Sequence, residues 1–275
     1  MLERGTGFQS MPACDEVENS QSTKDDVIDL TSVWIIVPTL DEAENIRPLL
    51  DGIHREIFGR PYHVCIVDDG SKDGTIYRVK AFIQDNRADN VHIIERKKRY
   101  RGSQRGAAVL TGMRHGLRHS KCTVFVEMDA DLSHSPTELD VGIRAIEKLG
   151  FDAAIASKYM PKSRIVNRPW TRRSLSFAYN CVLRILVTRK IRDFSNGYRF
   201  YSRACVEAMC AHRIRYGSPV HLVEVVVILL THRRRIVEFP STYVGRGEGI
   251  SKLRWMDIIK AGIAIFEISV RYHLG

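Results

Sequence analysis

Apolar residues along the chain occur in short continuous runs, and between these runs they recur at the three- and four-residue spacing of a helix. The first run, residues 33–37 (VWIIV), is followed by a segment in which Ile46, Leu49, Leu50 and Ile53 repeat at this spacing. Continuous runs of strand length are typical of strands buried on both faces of a sheet. Such strands alternating with helices predict a doubly wound, mostly parallel α/β sheet flanked by helices. The predicted strands are residues 33–37, 62–67, 91–94, 124–126 and 152–157.

Polar residues collect where three of these strands end. Residues 38–42 (PTLDE) follow the first strand, residues 68–73 (DDGSKD) the second and residues 129–134 (DADLSH) the fourth. Because ligands of open α/β sheets bind beyond the carboxyl ends of the strands, we expect the three segments to form one site. No GxGxxG motif follows the first strand and no P-loop motif is present, which argues against a dinucleotide-binding fold and a P-loop kinase.

Asp129 and Asp131 are the strongest candidates for chemistry. In an extended chain, side chains two residues apart point the same way, so both carboxylates face one point just past a strand end. Two converging carboxylates repel unless a cation lies between them, and Mg²⁺ or Mn²⁺ carrying a diphosphate fits oxygen ligands. The alternative is that Asp131 caps the next helix, or that both are solvated loop residues.

The alternation ends after residue 157. Residues 172–188 predict an amphipathic helix with Leu175, Tyr179, Val182, Leu183 and Leu186 inward, and residues 245–252 contain three glycines and predict a mobile loop.

The sequence predicts one disordered segment, one folded domain and one C-terminal helix. We expect residues 1–31, which are polar and acidic, to be disordered and residues 32–253 to form one domain. Residues 254–275 predict a helix that either lies in a membrane interface or packs on the sheet.

The chain has 275 residues, 44% apolar content and a net charge of +10. This charge suggests polyanionic partners such as phosphates, anionic lipid or nucleic acid. Six cysteines without a CxxC pair indicate a reduced, cytosolic protein. We see no signal peptide and no uninterrupted apolar stretch of spanning length, so we expect any membrane role to be peripheral or through a partner.

Five motifs, in this order and spacing, resemble the family 2 inverting glycosyltransferases, and more narrowly the dolichol- or polyprenol-phosphate mannosyltransferases of the soluble catalytic-subunit type. The resemblance covers about residues 33–253 and implies a GT-A nucleotide-sugar-binding fold. The motifs are PTLDEAENI at 38–46, VDDGSKDGT at 67–75, MDADLSHSP at 128–136, DFSNGYR at 193–199 and GISKL at 249–253.

The resemblance implies a GDP-mannose donor, a dolichyl or polyprenyl monophosphate acceptor and Mg²⁺ or Mn²⁺. It places the metal at Asp129, Asp131 and Ser133, and it gives catalytic roles to Asp129, Asp131, Arg246 and Lys252. The implied donor-binding residues are Pro38, Leu40, Glu42, Val67, Asp69, Asp129, Ala130, Asp131, Lys158, Arg246 and Lys252.

The acceptor determines whether the reaction needs a base. A phosphate monoester is already anionic at pH 7, since its second pKa is about 6, so no general base is required. Attack opposite the diphosphate inverts the anomeric centre and gives a β-linked sugar phosphate. Arg172, Arg173 and Arg199 are candidates for holding the acceptor phosphate.

Three alternatives stay open. Leu40 stands where relatives have an aromatic residue near the base, so the donor is alternatively UDP-glucose or UDP-N-acetylglucosamine. A non-catalytic nucleotide-sugar-binding subunit is a second alternative. Charge +10 raises a nucleic-acid-binding protein as a third, but no recognition motif supports it and the strand-end loops are acidic.

We expect the protein to act in the cytoplasm at the cytosolic face of a membrane. That membrane would be the endoplasmic reticulum in a eukaryote and the plasma membrane in a prokaryote. A small membrane-anchoring subunit is the partner that this location suggests.

Overall fold

An eight-stranded sheet forms the centre of the molecule, in the order β1-β9-β6-β8-β5-β2-β3-β4. The computed structural model describes residues 8–10, 32–96, 105–212, 214, 220–245, 264–265, 267–270 and 272. Within these residues the strands are β1 (Phe8–Ser10), β2 (Val33–Thr39), β3 (Tyr62–Asp68), β4 (Val91–Glu95), β5 (Val124–Glu127), β6 (Ala153–Ser157), β7 (Arg164–Val166), β8 (Arg199–Ser202), β9 (Ile236–Pro240) and β10 (Thr242–Val244). Strands β7 and β10 pair with each other in a separate two-stranded sheet.

The predicted mostly parallel sheet is confirmed. Strand β8 lies between β5 and β6 and is antiparallel to both, and the other neighbours in the main sheet are parallel. The helices are α1 (Ala43–Glu56), α2 (Thr75–Asn86), α3 (Arg105–His119), α4 (Leu139–Glu147), α5 (Trp170–Leu186), α6 (Arg203–Ala211) and α7 (His221–Thr231).

Two hydrophobic clusters lie on opposite faces of the sheet, and strand β2 contributes to both. Trp34 and Ile36 belong to one cluster, while Val33, Ile35 and Val37 belong to the other. Because successive strand side chains point to opposite faces, a run with no polar residue is required when both faces are covered. This explains the continuous apolar run from which the strand was predicted.

Strand β1 differs from the sequence prediction. Phe8–Ser10 lies within the segment expected to be disordered, yet it pairs in parallel with β9. The edge of β9 presents unpaired backbone groups, and even a short extended segment can satisfy them. Residues 1–7 and 11–31 lie outside the described residues.

Helix α5 is also oriented differently from the prediction. Leu183 is buried and Tyr179 and Leu186 pack against the core, as expected, but Leu175 and Val182 are 56% and 49% exposed. These two residues lie about 80° and 100° around the helix from Leu183, so they miss the narrow stripe that contacts the core. The prediction that they point inward was wrong.

The part of the C-terminal segment that the structure describes packs on the core. Residues 264–265, 267–270 and 272 are helical, and Ala264, Ile265 and Ile268 belong to the same cluster as Trp34. Ser269 Oγ donates a hydrogen bond to Leu186 O at 2.5 Å. Among the described residues, no helix is both long and apolar enough for a bilayer crossing.

Candidate active site

Three polar segments meet at one rim of the sheet because strands β5, β2 and β3 are neighbours. The segments after β2 and β3 are joined directly: Thr39 Oγ1 donates to Asp68 Oδ1 at 3.0 Å, and Asp69 N donates to Thr39 O at 3.0 Å. The segment after β5 continues the ladder, since Met128 N donates to Ile36 O at 3.1 Å. The structure therefore brings together the three loops that the sequence placed at strand ends.

The two aspartates after β3 have different surroundings. Asp68 is buried, and its Oδ2 accepts hydrogen bonds from Gly70 N and Ser71 N, both at 2.9 Å, so it shapes the turn. Asp69 forms an ion pair with Arg96 at 2.9 Å. Asp69 is thus the member of the pair whose carboxylate faces a basic side chain.

The remaining candidates for nucleotide binding on these loops are mostly covered. The side chains of Val67 and Ala130 belong to the hydrophobic core, so only their main chains can meet a ligand. Glu42 is buried and its Oε2 accepts from Asn45 Nδ2 at 2.8 Å, Pro38 is half-buried, and Leu40 is 39% exposed.

Asp131 does not cap the following helix. Its Oδ1 accepts from Ser133 N at 3.0 Å, and Ser135 accepts from Thr137 N at the start of the helical turn Pro136–Glu138. The alternative role considered for Asp131 is therefore filled by another residue.

Asp129 is held on both its main chain and its side chain. His134 is buried; its Nδ1 accepts from Asp129 N at 3.3 Å, and its Nε2 donates to Asn196 Oδ1 at 2.7 Å. On the side chain, Arg105 Nε donates to Asp129 Oδ1 at 2.6 Å.

Arg105 also pairs with Glu127, the last residue of β5, which is 1% exposed. Burial disfavours the charged form of Glu127 and Asp129, but the Arg105 guanidinium outweighs it and holds the pKa of both carboxyls below their usual values. Our sequence reasoning missed Arg105 and Glu127. Glu127, a charged residue at the end of an apolar strand run, was the sequence signal that could have indicated a buried basic partner.

The segment 129–133 fits a hard divalent metal in its donor chemistry. Asp129 and Asp131 supply carboxylate oxygens, and the Ser133 hydroxyl oxygen is buried without a hydrogen-bond partner among the described residues. In the described part of the chain, no three acidic, histidine or cysteine side chains converge on one point. Mg²⁺ is commonly held by one or two carboxylates together with substrate phosphates, and this set is consistent with that arrangement.

Lys158 directly follows β6 and is buried. Its Nζ is 3.1 Å from Asp193 Oδ2, and it lies 5.3 Å from the ring centre of Tyr243, which in turn contacts the His134 ring. Burial lowers the pKa of Lys158, whereas Asp193 opposes this and favours the charged form. The ion pair with Asp193 therefore holds the ammonium group of Lys158 in place beside the rim.

The arginines proposed for the acceptor separate into two groups. Arg172 and Arg173 lie in the first turns of α5, half-buried and exposed respectively. Arg199 is fully buried, and its guanidinium donates to the carbonyl oxygens of Asn196, Phe194 and Leu222 at 2.9, 3.0 and 2.8 Å. This position does not fit phosphate binding, so the prediction for Arg199 was wrong. Arg246 and Lys252 lie outside the described residues.

The sequence is similar to one protein family and to several known proteins. The family described as Glycosyl transferase family 2 matches residues 34–209. A polyprenol monophosphomannose synthase from Mycolicibacterium smegmatis is 33% identical over 244 residues, covering 87% of this chain and 88% of that protein. An undecaprenyl-phosphate mannosyltransferase from Micrococcus luteus is 33% identical, covering 80% and 87%. A dolichol-phosphate mannosyltransferase from Pyrococcus furiosus is 30% identical, covering 83% and 61%.

Solved structures resemble the fold at low sequence identity. Glucosyl-3-phosphoglycerate synthase from Mycobacterium tuberculosis, with Mn²⁺, UDP-glucose and phosphoglyceric acid, superposes with a TM-score of 0.65 at 14% identity, covering 87% of this chain and 80% of that chain. A mannosyltransferase from Pyrobaculum calidifontis, in complex with GDP-Man and Mn²⁺, superposes with a TM-score of 0.56 at 20% identity, covering 87% and 64%.

Proposed function

The chain belongs to glycosyltransferase family 2 and has a GT-A fold, and from that premise we propose that it transfers mannose from GDP-mannose to a polyprenyl or dolichyl monophosphate. Asp129 and Asp131 carry this proposal, because they stand at the end of β5 on the rim where the three polar loops meet. The mannosyltransferases that match most of the chain act, by their names, on polyprenol, undecaprenol or dolichol phosphates.

In the proposed reaction an oxygen of the acceptor phosphate attacks the anomeric carbon of the sugar. The bond from that carbon to the diphosphate breaks, and its electron pair leaves with GDP. Attack from the opposite side inverts the centre and yields a β-linked mannosyl phosphate. The acceptor phosphate is largely dianionic at pH 7, so no residue has to remove a proton from it.

The residues of the rim would hold the donor and its charge. Asp129, Asp131 and Ser133 would hold Mg²⁺ or Mn²⁺, which when bound neutralises the leaving diphosphate. Lys158, fixed by Asp193, supplies a positive charge at the same rim. Arg246 and Lys252 are proposed for the diphosphate on the basis of the family motif alone.

Nucleotide recognition is assigned to the loops after β2 and β3. Pro38, Leu40 and Glu42, at and after the end of β2, and Val67 and Asp69, at and after the end of β3, would contact the nucleotide. The pairing of Pro38 with Val67 in the β2–β3 register supports this assignment. Val67 and Ala130 would contribute through their main chains, since their side chains are buried.

Acceptor recognition would involve Arg172 and Arg173 at the start of α5, where helix α5 also exposes apolar side chains suited to a lipid. We further propose peripheral contact with the cytosolic face of a membrane and a small anchoring subunit. We propose no nucleic-acid partner, because the loops at the rim are acidic.

The experiment that tests this function is transfer of radiolabelled mannose from GDP-mannose to a short polyprenyl phosphate in detergent with Mg²⁺. We expect lipid-linked label that disappears with EDTA and falls at least about 100-fold in Asp131→Ala, because a directly coordinating carboxylate is lost. Asp140→Ala, an exposed aspartate on α4, is the matched control and should retain activity.

A panel of UDP-glucose and UDP-N-acetylglucosamine runs in the same assay, because the exposed Leu40 leaves the base-binding position without an aromatic ring. Transfer from a UDP-sugar and not from GDP-mannose would identify the UDP-sugar as the donor and contradict the mannose proposal. If the folded protein transfers no sugar from any donor in the presence of membranes, the result would support a non-catalytic subunit instead.

A further inference from the structure

Arg105 occupies an unusual place beside the first aspartate of the candidate metal site. It is the first residue of α3, and its side chain reaches from the helix to the end of β5. Its donors are divided among different partners. Nε donates to Asp129 Oδ1 at 2.6 Å, one terminal nitrogen pairs with Glu127 and lies 3.2 Å from His221 Nε2, and the other donates to Gly197 O at 3.1 Å.

Most of these partners hold the guanidinium independently of Asp129. Glu127 is 1% exposed and also accepts from Tyr201 Oη at 3.2 Å, so its carboxylate is fixed in the core. Gly197 leaves the space that Arg105 fills, because a Cβ at this position would collide with the terminal guanidinium nitrogen. The guanidinium of Arg105 is therefore held in place by buried groups, and its Nε–H is directed at Asp129.

The charges of this cluster do not cancel completely. Arg105 forms ion pairs with both Glu127 and Asp129, so two carboxylates face one guanidinium and leave a net negative charge that a cation can neutralise. A lysine could not replace Arg105, since a single ammonium group cannot serve three partners in fixed directions.

We infer that Arg105 is a positioning residue for Asp129, and that Glu127 is the buried counter-ion which holds Arg105 for this task. This inference rests on the proposed function, in which Asp129 holds the metal that accompanies the nucleotide. Arg105 fixes the rotamer of the carboxylate before metal and donor arrive, while His134 fixes its main chain. Groups that orient metal ligands in this way typically change metal affinity 10- to 100-fold when they are altered.

The test measures binding of Mn²⁺ and does not depend on transfer. Free Mn²⁺ is followed by electron paramagnetic resonance while it is titrated into the protein with saturating GDP, and in parallel with UDP. Arg105→Lys keeps the positive charge but loses the planar guanidinium group with its several fixed donors. We expect it to weaken Mn²⁺ binding about tenfold or more. Arg144→Lys makes the same chemical change in an exposed ion pair on α4 and should leave binding unchanged.

Gly197→Ala gives a second, independent variant. It removes no charge and no hydrogen-bonding group, but its methyl group would overlap the guanidinium and displace it from the position in which Nε donates to Asp129. We expect it to weaken Mn²⁺ binding in the same direction as Arg105→Lys. Thermal unfolding of each variant is measured at the same time, so that a loss of binding at a temperature where the protein is folded reports positioning and not global stability.

Mn²⁺ binding within about twofold of the parent in both variants would overturn the inference, and so would tighter binding, which would mark Arg105 as a competitor of the metal. Absence of Mn²⁺ binding by the parent with either nucleotide would also overturn it. The proposed transfer is decided separately by the radiolabel assay. Parent protein that binds Mn²⁺ with UDP and not with GDP would count against the mannose donor while the Arg105 comparison still stands.

Discussion

At the scale of single residues, the buried ion pair between Lys158 and Asp193 shows how this fold fixes a charge at its rim. Asp193 also accepts hydrogen bonds from Lys158 N at 2.9 Å, Ser195 N at 2.9 Å and Asn196 N at 3.0 Å. Burial alone would favour the neutral carboxyl, but Lys158 and these donors hold the pKa of Asp193 below its usual value. The pair therefore contributes to stability above the pKa of an unfolded aspartate, about 3.9, and that contribution is lost as the pH falls through the lower folded pKa.

We predict that Asp193→Asn destabilises the protein by about 3–5 kcal/mol at pH 7, because it leaves a buried lysine without its counter-ion. Urea unfolding followed by circular dichroism measures the free energy of unfolding. Asp140→Asn, which removes an exposed partner of Arg144 on α4, is the control and should change this free energy by less than about 1 kcal/mol. Equal effects of the two substitutions would contradict the prediction.

At the scale of secondary-structure elements, a group of histidines joins β3, β4 and α3 around Trp34 of β2. His63 Nδ1 lies 3.0 Å from His92 Nε2, and His92 stacks on Trp34 with ring centres 5.0 Å apart. His115 lies 6.0 Å from His92, measured between ring centres. Burial lowers the pKa of His63, His92 and His115, and repulsion from the neighbouring histidines lowers that of His92 further.

These shifts predict a dependence of stability on pH. The unfolded chain gains protons on these histidines below about pH 6.5, whereas the folded chain resists protonation to lower pH. The free energy of unfolding should therefore fall as the pH is lowered from about 7 to 5. In His92→Gln this pH dependence should be smaller.

Urea unfolding at a series of pH values measures the effect, and His54→Gln, on the exposed side of α1, serves as the control. An unchanged slope in His92→Gln would show that the histidine group does not set the acid sensitivity of the protein.

At the scale of the whole molecule, positive charge and exposed apolar surface occur together. The chain has a net charge of +10, and helix α5 exposes Trp170, Phe177 and Ile185 to 77%, 58% and 73%. Arg173 and Arg184 are exposed on the same helix. Apolar side chains flanked by arginines are typical of helices that lie at anionic membrane surfaces.

We predict that the protein binds vesicles containing anionic lipid, and that Phe177→Ser with Ile185→Ser reduces the partition constant at least about tenfold, because two large apolar side chains no longer enter the interface. Co-sedimentation with vesicles measures it, and raising the salt concentration should weaken the binding of the unmodified protein. Phe58→Ser removes a phenylalanine that is even more exposed, from the loop after α1, and should have no effect. A similar loss in this control would argue for non-specific adsorption.

The order of strands and helices was predictable from the sequence because periodicity is a local property. The run VWIIV predicted β2 because both faces of that strand are buried, and the same reasoning located β3 to β6. The rim of polar loops followed from the parallel arrangement, since carboxyl ends of neighbouring parallel strands meet at one edge. Asp129 and Asp131 were proposed as metal ligands in this way, from two positions in one short segment.

The pairing of residues far apart in the chain was decided only by tertiary structure. Arg105 meets Asp129 across 24 positions and His221 across 116, and no local pattern encodes either contact. Arg199 has the same charge as a phosphate-binding arginine, but it lies in the core, where its guanidinium donates to the main-chain carbonyls of Phe194 and Leu222. Leu175 and Val182 have the periodicity of buried residues, yet nothing in the described part of the chain covers them enough to bury them. Hydrophobic pattern determines which side chains can be buried, and the packing of whole elements determines which of them are.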